Sequence, residues 1–317
     1  MSRNGCGRAG VRTTRRRSRN RRHPDPGRPP RRSIALPEPF PMPTSYPLSS
    51  PSTLSPSPLS SDGPRLPWLL RRPGAPRALR LYGFAYAGGD AGMYLSWQPA
   101  LGAQIEVCGV QLPGRGVRLR EPPAHTMEPL VERLAADIAA QPRQPFALFG
   151  HSLGALLAFE VARRLQRLGA PAPLHLFVSA CEAPGYRREG RNLHTLPDEA
   201  LIEVLRDYNG TPAEVLRDRE FMALVLPTLR ADFALACEYA YRPGPKLRVP
   251  MSVLVGERER EGRWSEVGRW AEQTEAGCEL HRFDGGHLFV DSHRAAVVDC
   301  VRETLLRAMP APRTQLG

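Results

Sequence analysis

The spacing of apolar and polar positions divides the chain at about residue 79. From there to about residue 309, short apolar runs alternate with longer stretches in which apolar residues return every three or four positions. The runs at 79–84, 105–110, 146–149, 174–179, 251–255 and 279–283 are nearly continuous in apolar character, which predicts strands buried on both faces. Between them, Met127, Leu130, Val131, Leu134, Ala135 and Ile138 follow the rhythm of a helix with one buried face, and Thr126 stands where a cap belongs. Leu153, Leu156, Leu157, Val161, Leu165 and Leu168 repeat the rhythm. Gly169 is expected to stop that helix, with Glu160 and Arg164 facing out as an i, i+4 pair. A helix is also expected at about 92–101. Strands and helices alternating in this way predict an α/β fold: a mostly parallel sheet with helices on both faces.

One stretch departs from the alternation. From about 192 to 242 the pattern is helical without a strand. Pro197-Asp198 opens one amphipathic segment that ends at Asn209-Gly210, and Thr211-Pro212-Ala213-Glu214 reads as a capping box with proline at the first helical position. A third helical run, 221–241, contains Pro227 and is expected to kink there. A helical insertion between two strands, about 190–243, is well placed to form a lid over an apolar pocket.

Charge changes the picture only outside this region. The formal charge is +12, but residues 1–80 hold 17 arginines against 3 acids, so the remainder is slightly acidic. The basicity therefore belongs to a tail, which also carries 16 of the 34 prolines and a Ser/Pro tract at 45–61. Such a composition predicts disorder for residues 1–76, with a second short tail at 311–317. The arginine run at 12–32 would suit phosphate contacts. A linker or a start placed too far upstream is the plainer expectation, Met42 being a later candidate start, and neither a nucleic-acid nor a membrane partner is expected. Arg15-Arg16-Arg17 is not followed by an apolar targeting segment, and no run approaches the length of a membrane span. The six cysteines are scattered singly, so neither a disulfide framework nor a zinc site is indicated and a reducing, cytoplasmic setting is expected.

Candidate chemistry centres on Gly150-His151-Ser152-Leu153-Gly154. A G-x-S-x-G match is weak alone, but this one sits between a predicted strand and a predicted helix, where the nucleophile elbow of an α/β-hydrolase fold belongs. There the serine is held exposed in a strained backbone conformation, and the two glycines avoid collision with neighbouring elements. The turn also aims the Leu153 N–H at the space above Ser152. A second oxyanion donor is expected from Phe84-Ala85-Tyr86-Ala87-Gly88-Gly89, which follows the first strand: Ala87, with Tyr86 as the alternative. The general base is expected late in the chain, and His287 in Asp284-Gly285-Gly286-His287 follows the last strand. His151 belongs to the elbow but is expected to point away from the serine's neighbours, and His125, His175, His194, His281 and His293 are less well placed.

Several runs together carry a resemblance. Gly83 to Gly89, Val110-Gln111-Leu112-Pro113-Gly114-Arg115-Gly116, Phe149 to Ala155 and Asp284 to Phe289 resemble the type II thioesterases of polyketide and non-ribosomal peptide synthesis, as do Gly210-Thr211-Pro212 and Leu229-Arg230-Ala231-Asp232-Phe233 in the insertion. The resemblance spans about 79–308 and implies hydrolysis of acyl thioesters from the phosphopantetheine arm of a carrier protein, without metal or redox cofactor. It implies Ser152 as nucleophile, His287 as base, and the Leu153 and Ala87 N–H groups as oxyanion donors. The family places an aspartate after the strand at 251–255 in a G-x-x-D pattern, whereas this chain reads Gly256-Glu257-Arg258-Glu259. Glu259 falls on the acid position with one more methylene, and Glu257 and Glu182 remain alternatives. Carrier proteins are commonly acidic, and the insertion offers Arg187, Arg188, Arg191, Arg206, Arg217 and Arg219 as a docking face or as a solvated one. A carboxylesterase of the same fold and a catalytically weakened binding protein are the rival classes.

Overall fold

The computed structural model describes residues 67–186, 192–208, 210–259 and 268–309. The tail expected at 1–76 lies outside them up to residue 66, as do the tail at 311–317 and three of the candidate docking arginines, Arg187, Arg188 and Arg191.

Seven strands form one sheet in the order β1-β3-β2-β4-β5-β6-β7. They are β1 (Leu69–Arg71), β2 (Leu79–Phe84), β3 (Ile105–Val110), β4 (Phe146–His151), β5 (Leu176–Ser179), β6 (Met251–Gly256) and β7 (Cys278–Phe283). All neighbouring pairs are parallel except β1 with β3, which is antiparallel. The expected organised region began too late: β1 adds an edge strand at residues assigned to the disordered tail. Its three residues are too few for a periodic signal, and tertiary pairing with β3 determines it.

Alternate residues along the central strands enter two cores. Tyr82, Cys108, Val110 and Leu148 face the side covered by α3 (Met127–Ala139) and α4 (Leu153–Arg167). Leu81, Val107, Phe149 and Phe177 face the side covered by α1 (Ala91–Leu95), α2 (Gln98–Leu101), α8 (Phe289–Ser292) and α9 (Arg294–Ala308). The helix expected at 92–101 is thus two short helices. The two edge strands depart from burial on both faces: β7 exposes Glu279 and Arg282, and β1 exposes Arg71.

Local details correct other expectations. Thr126 occupies the cap position of α3 but its side chain makes no capping bond. Glu160 pairs with Arg163 rather than Arg164, at 2.7 Å, and Arg164 reaches Glu132 on α3 instead, also at 2.7 Å. The pairs that form join neighbouring turns and neighbouring helices, so α4 does not present a free outer stripe. Gly169 ends α4 as expected, at φ +62°.

The insertion folds as α5 (Asp198–Tyr208), α6 (Ala213–Arg217) and α7 (Arg219–Cys237), with its own apolar core around Leu201, Leu216, Met222 and Phe233. The expected capping box at 211–214 is not formed: Pro212 is the cap residue of α6 and no side chain caps it. Helix α7 is unbroken through Pro227. Its effective cap is Asp218, whose side chain accepts from Phe221 N at 3.0 Å. Among the described residues no helix is long and apolar enough to cross a membrane.

Candidate active site

Ser152 stands between β4 and α4 at φ 55°, ψ −116°, a conformation an L-residue adopts only at a cost of order 1–3 kcal/mol. Two contacts explain the glycines on either side. A Cβ on Gly150 would lie 2.0 Å from the Gly154 carbonyl oxygen, and one on Gly154 would lie 2.0 Å from that of Phe84. The elbow therefore wedges the first turn of α4 against the ends of β2 and β4, and the Ser152 N–H donates to Ser179 O of β5 at 2.8 Å. The serine is fixed at the carboxyl ends of the strands, where the loops of a parallel sheet converge.

Three of those loops meet at the serine. His287, on the loop after β7, has Nε2 3.1 Å from Ser152 Oγ and Nδ1 2.5 Å from Glu259 Oε1. Glu259, on the loop after β6, is therefore the carboxylate in line. Glu182 lines the same cavity from the loop after β5, but both ring nitrogens of His287 are already engaged. Glu257 is exposed, and its backbone N–H is tied to Phe283 O at 2.8 Å.

On the loop after β2, Gly89 N donates to Tyr86 O at 2.9 Å and Gly88 takes φ +79°, closing a tight turn through Ala87. Ala87 and Leu153 line the cavity beside Ser152, and no group among the described residues occupies the N–H of either. Tyr86 lines the same cavity, and its side-chain hydroxyl donates to Asp291 at 2.7 Å. Burial and that carboxylate raise the phenol above its ordinary pKa.

This turn is anchored from the insertion. Gly88 N donates to Asp232 Oδ2 of α7 at 2.7 Å, and Asp232 is held by Arg115 through two bonds of 2.6 and 2.7 Å. The pair is buried, Asp232 to 1% side-chain exposure. Thr228, one turn earlier, donates to Gly114 O at 2.9 Å. The runs around Arg115 and Asp232, 117 positions apart, are thus one structure, a strap between the turn carrying Ala87 and the lid.

The cavity above Ser152 has a volume of about 1040 Å³. Its outer wall is supplied by the insertion, through side chains such as Leu205, Met222, Val225 and Phe233. Tyr208 at the end of α5 stacks on the His287 ring, with centroids 5.0 Å apart and planes 26° apart. A largely apolar chamber of this size, opening onto a serine and an imidazole, can receive an acyl chain and bring its carbonyl within reach of the serine.

A family model described as the thioesterase domain matches residues 79–305. The chain belongs to the thioesterase family. It is 36% identical over 235 residues to the gramicidin S biosynthesis protein GrsT of Aneurinibacillus migulanus, covering 74% of this chain and 91% of that one. Thioesterase PikA5 of Streptomyces venezuelae is 35% identical over 249 residues, covering 77% and 88%. Among solved structures, the type II thioesterase BorB from the borrelidin biosynthetic cluster superposes with a TM-score of 0.70 at 39% identity, covering 75% of this chain and 97% of that one. This thioesterase therefore matches the family over a span that includes all three helices of the insertion, while residues 1–78 fall outside the family match.

One residue was undervalued in the sequence. His151 is fully buried and bonded at both ring nitrogens, to Ser179 Oγ and to His287 O, each at 2.9 Å. A histidine inside a G-x-S-x-G motif carries no signal of its own, because its partners come from β5 and the loop after β7.

Proposed function

We propose that this thioesterase removes acyl groups from the phosphopantetheine arm of carrier proteins in a polyketide or non-ribosomal peptide pathway, clearing chains that have stalled or are wrong. The observation that carries the reading is the hydrogen-bonded line Glu259–His287–Ser152 opening into the lid-covered apolar cavity. In this reading His287 Nε2 takes the proton of Ser152 as Oγ attacks the thioester carbonyl carbon. The N–H groups of Leu153 and Ala87 hold the oxyanion. Collapse breaks the C–S bond, and the imidazolium returns its proton to the departing thiolate. Water then enters, gives a proton to His287 and attacks the acyl-serine, releasing the carboxylic acid and regenerating the serine. Glu259 keeps the His287 Nδ1–H oriented and offsets the charge of the imidazolium. No step calls for a metal or a redox cofactor.

The carrier would dock at the cavity mouth. Leu119 and Phe221 line the cavity and are 46% and 44% exposed, an apolar rim of the kind that marks a contact surface. Arg217 and Arg219 are exposed at the junction of α6 and α7, beside that rim in sequence, and suit an acidic carrier surface; Arg206 is paired with Glu203. Among the described residues, Cys108, Cys278 and Cys300 form no disulfide, in keeping with work in the cytoplasm.

The test is turnover of acyl groups on a phosphopantetheinylated carrier against a series of simple esters, with fluorophosphonate labelling of Ser152 as an active-site count. Carrier thioester preferred over ester, and labelling lost in Ser152→Ala, is the expected result. Preference for esters would favour a carboxylesterase, and a folded protein that does not label would favour a binding role. Reversing charge at Arg217 and Arg219 should raise KM for the carrier-bound acyl group while leaving a small thioester unaffected; equal changes in both would remove these arginines from docking.

A further inference from the structure

We infer that His151 is a positioning residue of this active site: as the neutral tautomer with its proton on Nε2, it latches the main chain of His287 to the nucleophile elbow. The inference rests on the function proposed above and extends it to a residue that touches no substrate.

The tautomer follows from the partners. His151 Nε2 lies 2.9 Å from His287 O, and a carbonyl oxygen only accepts, so Nε2 must carry the proton. In the neutral ring Nδ1 is then an acceptor, and the Ser179 hydroxyl, 2.9 Å away, must donate to it. Ser179 is also the residue whose carbonyl receives the Ser152 N–H at 2.8 Å. A closed circuit results. Ser152 is bonded to Ser179, Ser179 to His151, and His151 to His287, while His151 precedes Ser152 in the chain. The separation of nucleophile and base is therefore fixed by a route that does not pass through the weak Oγ···Nε2 contact of 3.1 Å.

Packing makes the latch rigid. The His151 ring is enclosed edge-on by Tyr86, His287 and Phe289, with centroids 5.7, 5.6 and 5.4 Å away. Charge is excluded from it. Burial lowers its pKa well below the ordinary imidazole value, and the nearby His287 ring lowers it further, outweighing the opposite pull of the His287 carbonyl. The ionisable groups around the pair are Glu259 beyond His287, Tyr208 stacked on the His287 ring, and Tyr86 with its partner Asp291. A neutral neighbour matters because His287 becomes cationic during each proton transfer, and a second cation 5.6 Å away would oppose it.

His151→Asn and His151→Gln separate the latch from simple filling of space. Asn can accept from Ser179 near the Nδ1 position but does not reach His287 O. Gln extends an N–H towards the Nε2 position and stays neutral. With the wild-type protein shown to label at Ser152 and to release acyl groups from a carrier, kcat per fluorophosphonate-titrated site is compared at saturating carrier thioester. Asn should lower kcat by about 30-fold or more with KM unchanged, since a displacement of about 1 Å at reacting atoms costs on the order of 10²-fold. Gln should recover most of that loss. Equal losses in both variants, or wild-type kcat in Asn, would overturn the inference. Where the Asn variant does not fold, a loss beyond about tenfold in Gln overturns it. Failure of the wild-type protein to label or turn over would instead count against the proposed function.

Discussion

Glu259 Oε1 lies 2.5 Å from His287 Nδ1, and the two residues before the glutamate are bonded through their backbone to the segment leading to the histidine. Glu257 N donates to Phe283 O and Arg258 N to Gly285 O, each at 2.8 Å, and Glu259 N returns to Gly256 O at 3.2 Å. A Cβ on Gly256 would stand 2.5 Å from Gly286 O, so the two loops touch backbone to backbone. The extra methylene of glutamate is accommodated by this geometry, in which the carboxylate reaches the ring.

Replacement of Glu259 by Gln should lower kcat strongly, by up to about 10⁴-fold, because the amide can hold the wrong ring tautomer and supplies no charge to the imidazolium. Glu259→Asp is the more discriminating change. It restores the residue type expected after this strand but withdraws the carboxylate by roughly one bond length, about 1.5 Å, and the stapled loop cannot follow it. Asp should therefore fall between Glu and Gln, while Glu182→Gln and Glu257→Gln keep kcat near wild type. Carrier-thioester turnover of the four variants, with circular dichroism to verify folding, decides the matter; a loss in Glu182→Gln alone would move the acid to the other strand end.

The legible and illegible parts of this site differ in a physical way. Strands β2 and β3 could be read to the residue because their side chains are buried on both faces, and the elbow because two glycines and a serine meet a strand-to-helix change. Glu259 was readable as one of three carboxylates, since spacing along a chain does not say which loop a ring will face. The Arg115–Asp232 strap and the His151 latch were not readable as contacts, because each joins segments more than 100 positions apart. Edge strand β1 was missed because its three residues are too few to show a pattern, and its pairing with β3 defines it.

Asp232 holds the turn that carries Ala87 and neutralises a buried arginine, so its two roles can be separated by substitution. Asp232→Ala leaves Arg115 buried without its partner and should cost about 3–5 kcal/mol of stability. Asp232→Asn keeps one oxygen for Gly88 N–H and one Arg115 bond, but loses the charge and the second Arg115 bond, so it should be less destabilising than Ala. In both, the Ala87 turn loses part of its anchoring, and kcat should fall more than KM rises. Chemical denaturation together with turnover measures both effects; an Ala variant as stable as wild type would show that the strap contributes nothing to the fold.

A second buried histidine predicts how stability responds to pH. His175 Nε2 lies 2.9 Å from Ser252 Oγ, and His281 Nε2 lies 3.2 Å from the same oxygen. Burial, with smaller contributions from His281 and Arg307, lowers the His175 pKa to about 4. Its folded-state value lies below its unfolded value, so the unfolded chain binds the proton more readily. The stabilisation is fully present above about pH 6.5 and is lost as pH falls towards about 4. At pH 5 the cost from His175 should be about 2 kcal/mol. Denaturation at pH 7.5 and pH 5 should show the loss, and His175→Gln should reduce it; the same pH dependence in that variant would assign the effect to other groups.

The lid meets the base directly, and this contact predicts a dependence of catalysis on lid position. Tyr208 stacks on His287, and two residues later a Cβ on Gly210 would come 1.9 Å from Leu288 Cδ1, beside the histidine. Tyr208 therefore covers the imidazole, and Gly210 packs on its neighbour, only when the insertion lies where it does here. A ring stacked in this way excludes water from one face of the imidazole and adds about 0.5–1.5 kcal/mol of aromatic interaction. Tyr208→Ala should lower kcat by about 2- to 10-fold, the equivalent of that energy, whereas Tyr208→Phe keeps the ring and should stay close to wild type. Gly210→Ala should act in the same direction by pushing Leu288, a flexible side chain, and so more mildly than Tyr208→Ala. Single-turnover acylation with a carrier-bound acyl group isolates the step in which His287 takes the serine proton. Equal rates in the Ala and Phe variants at position 208 would mean that the stack has no part in that step and that the lid serves only to enclose the chain.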